Sequence, residues 1–420
     1  MWYDNHICYY SIIFPWNSQV LFGKFFQKGG LILKITGIIC EYNPFHLGHR
    51  KQLHMIRRIK GESAGIVCLM SGDFVQRGHP AIIHKSLRAK AAVLSGADLV
   101  LELPVTAALS SAEGFAARGV AILSPFCDDL CFGAESDAPA ALMEIAKALL
   151  CSDFPPLLRA QLDKGLSFPA ARQAALEEMG LNGRLVTQPN NILAIEYCKA
   201  ILSQQSPMAP FPILRQGCYH DTASDPENPS ATAVRQLLTT GNNWTEFIPA
   251  ETSSLLESAP IHTLAAGERA ILAKLRTMTD EEFEALPYGS EGLWRKLMHA
   301  ARRESTLEDI LTAVKSKRYT RSRLDRMVMC AFLGLTAADL NVAAPYVRVL
   351  AFNDRGREIL KKARLTGSFP NIGEKINDPY QKIETRCGRL YGLFAADGPE
   401  QPDLDETTRV FYFQYSRGGS

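Results

Sequence analysis

Strands alternating with helices at short spacing predict an α/β fold: a doubly wound parallel sheet over residues 31–250, then a mainly α-helical region over 251–420. Three observations carry this. Apolar runs such as Leu31 to Cys40 and Gly65 to Met70 read as strands buried on both faces. Helical patterns separate them, and parallel crossovers of that kind are right-handed. After about Pro249 helical periodicity takes over.

Residues 1–30 are aromatic-rich and aperiodic. Asp4 comes early, and Pro15, Asn17 and Ser18 interrupt the apolar run, so the segment does not read as a signal peptide but as an extension outside the fold. Leu31 to Cys40 is the first strand, followed by a Pro-containing loop and a helix from Leu47 to Lys60. Gly65 to Met70 is the second strand, Lys85 to Leu94 a helix, and Ala97 to Leu103 the third strand. A helix over Ser110 to Leu123, a strand over Leu130 to Gly133 and a helix over Ala138 to Leu150 continue the alternation. Leu157 to Met179 and Asn191 to Leu202 read as helices, Pro210 to Arg215 as a short strand, and Ala231 to Leu238 as a helix. Beyond the boundary near residue 250, six helical patterns run from Ser254 to Leu333; Tyr346 to Phe352 reads as one more strand and Arg355 to Ala363 as a helix. The first part is thus Rossmann-like.

Composition narrows the function. The 420 residues carry 46 Lys and Arg against 44 Asp and Glu, a net charge of +2, which excludes a histone-like polycation and confines any nucleic-acid contact to a local patch. No uninterrupted apolar stretch reaches membrane-spanning length, so no membrane partner is expected. The 10 cysteines form no CxxC pair and read as reduced thiols of a cytoplasmic protein, with no metal ligands assigned.

The chemistry-bearing motif is His46-Leu47-Gly48-His49, directly after the first strand. Ligands of open α/β sheets bind at strand carboxyl ends, and a helix N-terminus there offers N–H groups to a phosphate. His46 and His49 share one face of the first turn, Gly48 permits close approach, and two imidazoles suit charge building on phosphates. The loop Ser71 to Gly78 supplies Asp73, Gln76 and Arg77, the last suited to a carboxylate or phosphate. Lys85 and Arg88 share a helix face and read either as a cationic wall for triphosphate or RNA or as a solvated basic face. Asp98 and Glu102 are expected to pair with nearby Arg or Lys. Ser230 reads as an N-cap, with Thr232 and Arg235 in the first turns. Lys315-Ser316-Lys317-Arg318-Tyr319-Thr320-Arg321-Ser322-Arg323 is the dense basic cluster; its cations suit RNA phosphates and its tyrosine suits stacking on an unpaired base.

EYNPFHLGH resembles the HIGH-type nucleotidyltransferase superfamily. The wider run from GIICEYNPFHLGH through QRGHPAIIHKSLRAKAAVLSGADLVLELP, with CFGAES, PNNILAIEY, SATAVR and SKRYTRSRLDR in order, is similar to the bacterial tRNA(Met) cytidine acetate ligase family over about residues 34–390. That resemblance implies ATP and acetate as substrates, an acetyl-adenylate intermediate, and transfer of acetyl to N4 of the wobble cytidine of elongator tRNA(Met). Mg²⁺ is allowed as a companion of ATP. It implies catalytic roles for His46, His49 and Arg235. It implies nucleotide contacts at Ile39, Cys40, Glu41, Tyr42, Asn43, Pro44, Phe45, His46, Leu47, Gly48 and His49, and further along at Gly133, Asn190, Asn191, Arg215, Ser230 and Thr232. Simple helix capping is the plainer role for Asn190 and Asn191. The expected tRNA contacts are Lys315, Lys317, Arg318, Tyr319, Arg321 and Arg323, with the helical region as the tRNA-binding domain. Two rivals stand beside this reading. One is a nucleotidyltransferase that adenylates another small acid or makes a dinucleotide-type cofactor; it shares His46, His49 and Arg235 but does not need the basic cluster. The other is an RNA-binding module with a decayed nucleotide site, against which the intact His46, His49, Ser230 and Arg235 argue.

Overall fold

A computed structural model describes residues 33–214, 229–316 and 319–414. The expectation about residues 1–30 lies outside these, as do Arg215, Lys317 and Arg318. The strands are β1 (Ile35–Cys40), β2 (Gly65–Ser71), β3 (Phe74–Val75), β4 (His79–Pro80), β5 (Leu99–Leu103), β6 (Asp129–Ala134), β7 (Ala209–Leu214), β8 (Val349–Asn353) and β9 (Phe411–Phe413). Seven of them form one sheet in the order β7-β6-β1-β2-β5-β8-β9, while β3 and β4 make a small antiparallel ladder. The pairs from β7 to β5 are all parallel. The chain winds from β1 outward through β2 and β5, then returns to the other side of β1 for β6 and β7. Its switch point, where an open α/β sheet binds ligands, is therefore the crevice beyond the ends of β1 and β6.

Burial on both faces explains the continuous apolar runs. Along β2, Val67 and Leu69 enter one core and Ile66, Cys68 and Met70 the other. The helices α1 (Leu47–Lys60) and α2 (Lys85–Leu94) keep the predicted bounds. The pattern read over Leu157 to Met179 is two helices, Phe154–Asp163 and Phe168–Glu178. Gly165, at φ 83°, turns the chain between them, and a proline sits in the first turn of the second.

One end of the sheet takes its strands from the later chain. β8 pairs antiparallel with β5, and β9 pairs parallel with β8. The strand read at Tyr346 to Phe352 is thus part of the first sheet rather than of a separate one. A second apolar core joins the helices Leu264–Thr277, Leu293–Ala301, Leu307–Val314 and Arg321–Leu333, and it also takes Phe74, Val105 and Leu109. The eight cysteines described are free thiols. No helix among the described residues is long and apolar enough to cross a membrane.

Candidate active site

His46 is the N-cap of α1, and its Nδ1 accepts from the Gly48 N–H at 3.1 Å. His49 reaches back so that its Nδ1 accepts from the His46 N–H at 3.3 Å. The two rings stack with centroids 3.7 Å apart. A backbone N–H can only donate, so each neutral ring carries its proton on Nε2. The motif therefore builds a reciprocal cap from four residues and leaves each stacked ring with its proton on Nε2. Gly48 suits this packing: a Cβ there would lie 3.0 Å from the His46 ring and press it out of place by a few tenths of an ångström.

The loop before α1 is held from several sides. Arg235 donates from Nη1 to the Asn43 carbonyl at 2.7 Å and from Nη2 to Thr232 Oγ1 at 3.1 Å. Ser230 caps the helix Ala231–Thr240 by accepting from the Ala233 N–H at 3.0 Å. Asn43 Oδ1 accepts from the Ile82 N–H at 2.7 Å, and Glu41 Oε1 accepts from the Gln76 N–H at 2.9 Å. Tyr42, at φ 46°, is fixed by a 3.3 Å contact between its hydroxyl and Cys68 Sγ and by its edge-on ring contact with Phe45. Burial pushes the Tyr42 hydroxyl and the Cys40 thiol above their ordinary pKa ranges, so both stay neutral.

These elements enclose a cleft of about 1250 Å³. Its wall takes Ile39, Cys40, Glu41, Tyr42, Asn43, His46, Leu47, Gly48 and His49 from the first loop, Gly133 and Asn190 from across the switch point, and Ser230, Thr232 and Arg235 from the second helix. Pro44, Phe45 and Asn191 depart from the expected contact set, because they lie behind the wall. Phe45 packs into the core, and Asn191 is buried, with its Oδ1 accepting from the Glu135 and Ser136 N–H groups at 3.0 and 3.2 Å. Neither asparagine is the N-cap of its helix (Pro189–Ser203). Glu135 does that work from outside the helix, accepting from the Asn190 N–H (3.1 Å) and side-chain amide (2.8 Å) and from the Asn191 N–H (2.7 Å).

Charge in the cleft is one-sided. Arg50, Lys51, Arg58, Arg77 and Arg235 line it with His46, His49, His54, His79 and His262, against Glu41 as the sole carboxylate among the described residues. Such a wall suits a polyanion. One carboxylate makes no cage for Mg²⁺, so these residues fit a Mg²⁺ that arrives already bound to phosphates. A pocket for one small ligand occupies about 300–1,000 Å³, so the cleft has room for a nucleotide and part of a second substrate.

Residues 33–404 match the model of the HIGH Nucleotidyl Transferase family. The chain belongs to this family. Among curated relatives it is similar to the tRNA(Met) cytidine acetate ligase of Alkaliphilus metalliredigens, 39% identical over 90% of this chain and 99% of that protein. It is also similar to the enzyme of the same name from Clostridium novyi, 37% identical over 86% of this chain and 95% of the relative. Among solved structures it resembles Thermotoga maritima TmcAL in its apo form, with a TM-score of 0.82 and 29% identity over 91% of this chain and 100% of that one. The same protein bound with alpha-thio ATP gives a TM-score of 0.80 and 28% identity over the same shares.

Within this nucleotidyl transferase several predicted cations have other work. Lys85 and Arg88 form neither a cationic wall nor a solvated face; both are buried, at 2% and 0% exposure. The Lys85 ammonium sits among Asp405 (2.6 Å), Glu102 (2.8 Å) and Asp73 (3.1 Å). Asp73, His84 and Asp405 also lie close enough to suggest a metal cluster, but the ammonium already neutralises two of them. Asp98 pairs with Arg57 at 2.6 Å, as its strand position implied. In the basic cluster Lys315 is exposed, whereas Arg321 pairs with Glu308 and Asp325, both at 2.8 Å, and Arg323 donates to the Tyr288 carbonyl at 2.7 Å. Tyr319 corrects the stacking expectation. Its ring is 5% exposed inside the helical core, with the Arg323 guanidinium 5.1 Å away, so no base can stack on it here.

Sequence reasoning missed Glu135 and the α1 cations. Glu135 stands in the quoted CFGAES run, but its partners lie 55 and 56 residues on, beyond any local pattern. Lys51, His54 and Arg58 were legible as an i, i+3, i+7 stripe along α1.

Proposed function

We propose that this protein activates acetate with ATP and transfers the acetyl group to N4 of the wobble cytidine of elongator tRNA(Met). One observation carries the reading: two stacked imidazoles, each presenting Nε2–H, stand at the switch point of a cleft lined by five Arg and Lys and a single carboxylate. Family membership and the names of the curated relatives support the same reaction.

An acetate oxygen attacks the α-phosphorus of ATP. The new P–O bond forms as the bond to the β-phosphate oxygen breaks, and pyrophosphate leaves. His46 and His49 donate from Nε2 to the phosphate oxygens as charge builds there; Arg235 and the Ser230-capped helix end hold the leaving group. No covalent nucleophile is needed, because positioning and charge neutralisation carry most of phosphoryl-type transfer. Cytidine N4 then attacks the acetyl carbonyl carbon, the C–O bond to AMP breaks, and N4 gives up a proton. The region after residue 250 is proposed to hold the tRNA, with Lys315, Lys317 and Arg318 at phosphates and Arg321 and Arg323 bracing the cluster through their internal partners. A cytoplasmic location follows from that substrate.

The test is mass spectrometry of nucleosides from elongator tRNA(Met) incubated with protein, ATP and isotope-labelled acetate. Labelled N4-acetylcytidine that requires both ATP and the two histidines is the expected result. ATP–pyrophosphate exchange driven by a different acid, with no labelled nucleoside, would replace this reading with another adenylating enzyme.

A further inference from the structure

Backbone carbonyls just past the ends of parallel strands have left the sheet ladder and need donors. Beneath a triphosphate they are a particular hazard, since a carbonyl oxygen turned into the crevice faces phosphate with like charge. In this protein one buried guanidinium takes three of them. Arg88 donates from Nη1 to the carbonyl of Glu41, just beyond β1, at 2.6 Å and to that of Ser71, the last residue of β2, at 3.1 Å. Its Nη2 donates to the carbonyl of Gly72, and its Nε to that of Ile83 at 3.0 Å. Among the described residues no carboxylate forms an ion pair with Arg88, so its charge is spent on peptide dipoles. Burial lowers its pKa from the usual arginine value, but guanidinium has so large a margin that it stays charged.

Lys85, one turn earlier, holds the same β2 loop through Asp73 and ties it to β5 through Glu102, and the Lys85 N–H donates to Asp73 Oδ1 at 3.2 Å. The first turn of α2 is thus a strut under both loops that flank the cleft.

We propose that Arg88 is a positioning residue for the triphosphate: it keeps the strand-end carbonyls of Glu41, Ser71 and Gly72 turned into the protein and neutralised, so that none of them adds a like-charged oxygen to a wall that already carries the Glu41 carboxylate. This rests on the reading that the cleft binds ATP. The planar fork is essential to the role, because one ammonium cannot reach acceptors spread over two loops.

The test compares Arg88→Lys and Arg88→Met with the unaltered protein, using tripolyphosphate and adenosine separately as inhibitors of acetate-dependent ATP–pyrophosphate exchange. Thermal melts are recorded alongside. Charge-assisted hydrogen bonds of this kind predict a rise of about tenfold or more in the inhibition constant of tripolyphosphate, with adenosine moving less than about twofold. A purely structural role would weaken both inhibitors together, or lower the melting temperature while leaving both constants unchanged; either result overturns the proposal. Should Arg88→Met fail to fold, the ratio measured on Arg88→Lys decides alone. If the unaltered protein is inhibited by neither probe, the ATP reading itself falls, and the proposal falls with it.

Discussion

Under the proposed function each site histidine has two jobs for its two ring nitrogens, capping at Nδ1 and phosphate contact at Nε2, and these can be separated. Asparagine is a good N-cap and offers a side-chain oxygen where His46 offers Nδ1, but it has no donor where Nε2 stands. His46→Asn should therefore melt within a few degrees of the unaltered protein, while acetate-dependent ATP–pyrophosphate exchange falls by about 10²–10³, the usual loss for one donor to developing charge. Unchanged exchange would remove His46 from the chemistry. Glu384 offers a pH test. Burial, reinforced by the neighbouring Glu102 carboxylate, raises its pKa to about 7, although Arg348 and Lys85 oppose the shift. A carboxyl raised on folding binds more protons in the native state than in the unfolded state. It therefore costs stability as pH climbs from the ordinary glutamate range to about 7, and the cost then levels off. Glu384→Gln should flatten this part of the profile, read as melting temperature at pH 5, 6, 7 and 8. The amide can still accept from the Val105 N–H that Glu384 now serves at 3.1 Å.

At the scale of elements, the three helix N-termini at the cleft are secured in two ways. α1 and the helix Ala231–Thr240 carry their own caps, His46 and Ser230, within the first turn. That is why their motifs were legible: the donors and acceptors are near neighbours in the chain. The helix Pro189–Ser203 borrows its cap from Glu135, the first residue after β6. Glu135→Ala leaves three donors to find water and uncouples Asn190 from the switch point. We expect a loss of about 1–3 kcal/mol in stability and a higher KM for ATP, with a smaller change in kcat. Melting and exchange kinetics check this, and an unchanged KM would place Asn190 outside nucleotide binding. The loop Gln76–Gly78 is seated on another element by close approach. Gly78 has φ 81°, and a Cβ there would lie 2.5 Å from the backbone nitrogen of Arg326. The arginine-bearing loop of the cleft thus rests on the helix that begins at Arg321, an arrangement that no local pattern announces.

Across the whole molecule, residues far apart in sequence close the same structure. β8 covers β5, β9 extends the sheet, and Asp405 meets Lys85 across 320 residues of chain. Asp405 is held charged, well below the usual carboxylate range: Lys85 and His84 outweigh the burial that would raise it. A chain ending at residue 402 would remove one of the three carboxylates around the Lys85 ammonium and expose the β8 edge. Breaking a buried pair costs about 3–5 kcal/mol, so that truncation should melt well below the full chain and lose exchange activity although it touches no cleft residue. Asp405→Asn is the milder version and should show the same direction by thermal melting. Full activity and unchanged melting in both would show that the C-terminal segment is dispensable to the cleft.

Six of the seven strands of the main sheet, the helices α1 and α2, the His46–His49 pair and the Ser230 cap could be read from residue order, because periodicity and capping act over a few residues; the short β3, β4 and β9 could not. Tertiary structure decided the rest. A basic pair one turn apart looks like a solvated face until Glu41, Gly72 and Asp405 arrive around it, and a tyrosine among arginines looks like a stacking platform until the helical core closes over its ring. Burial is a property of what packs against a residue, and those partners come from elsewhere in the chain. Lys85, Arg88 and Tyr319 were therefore visible as chemistry in the sequence, and only the fold assigned them their places.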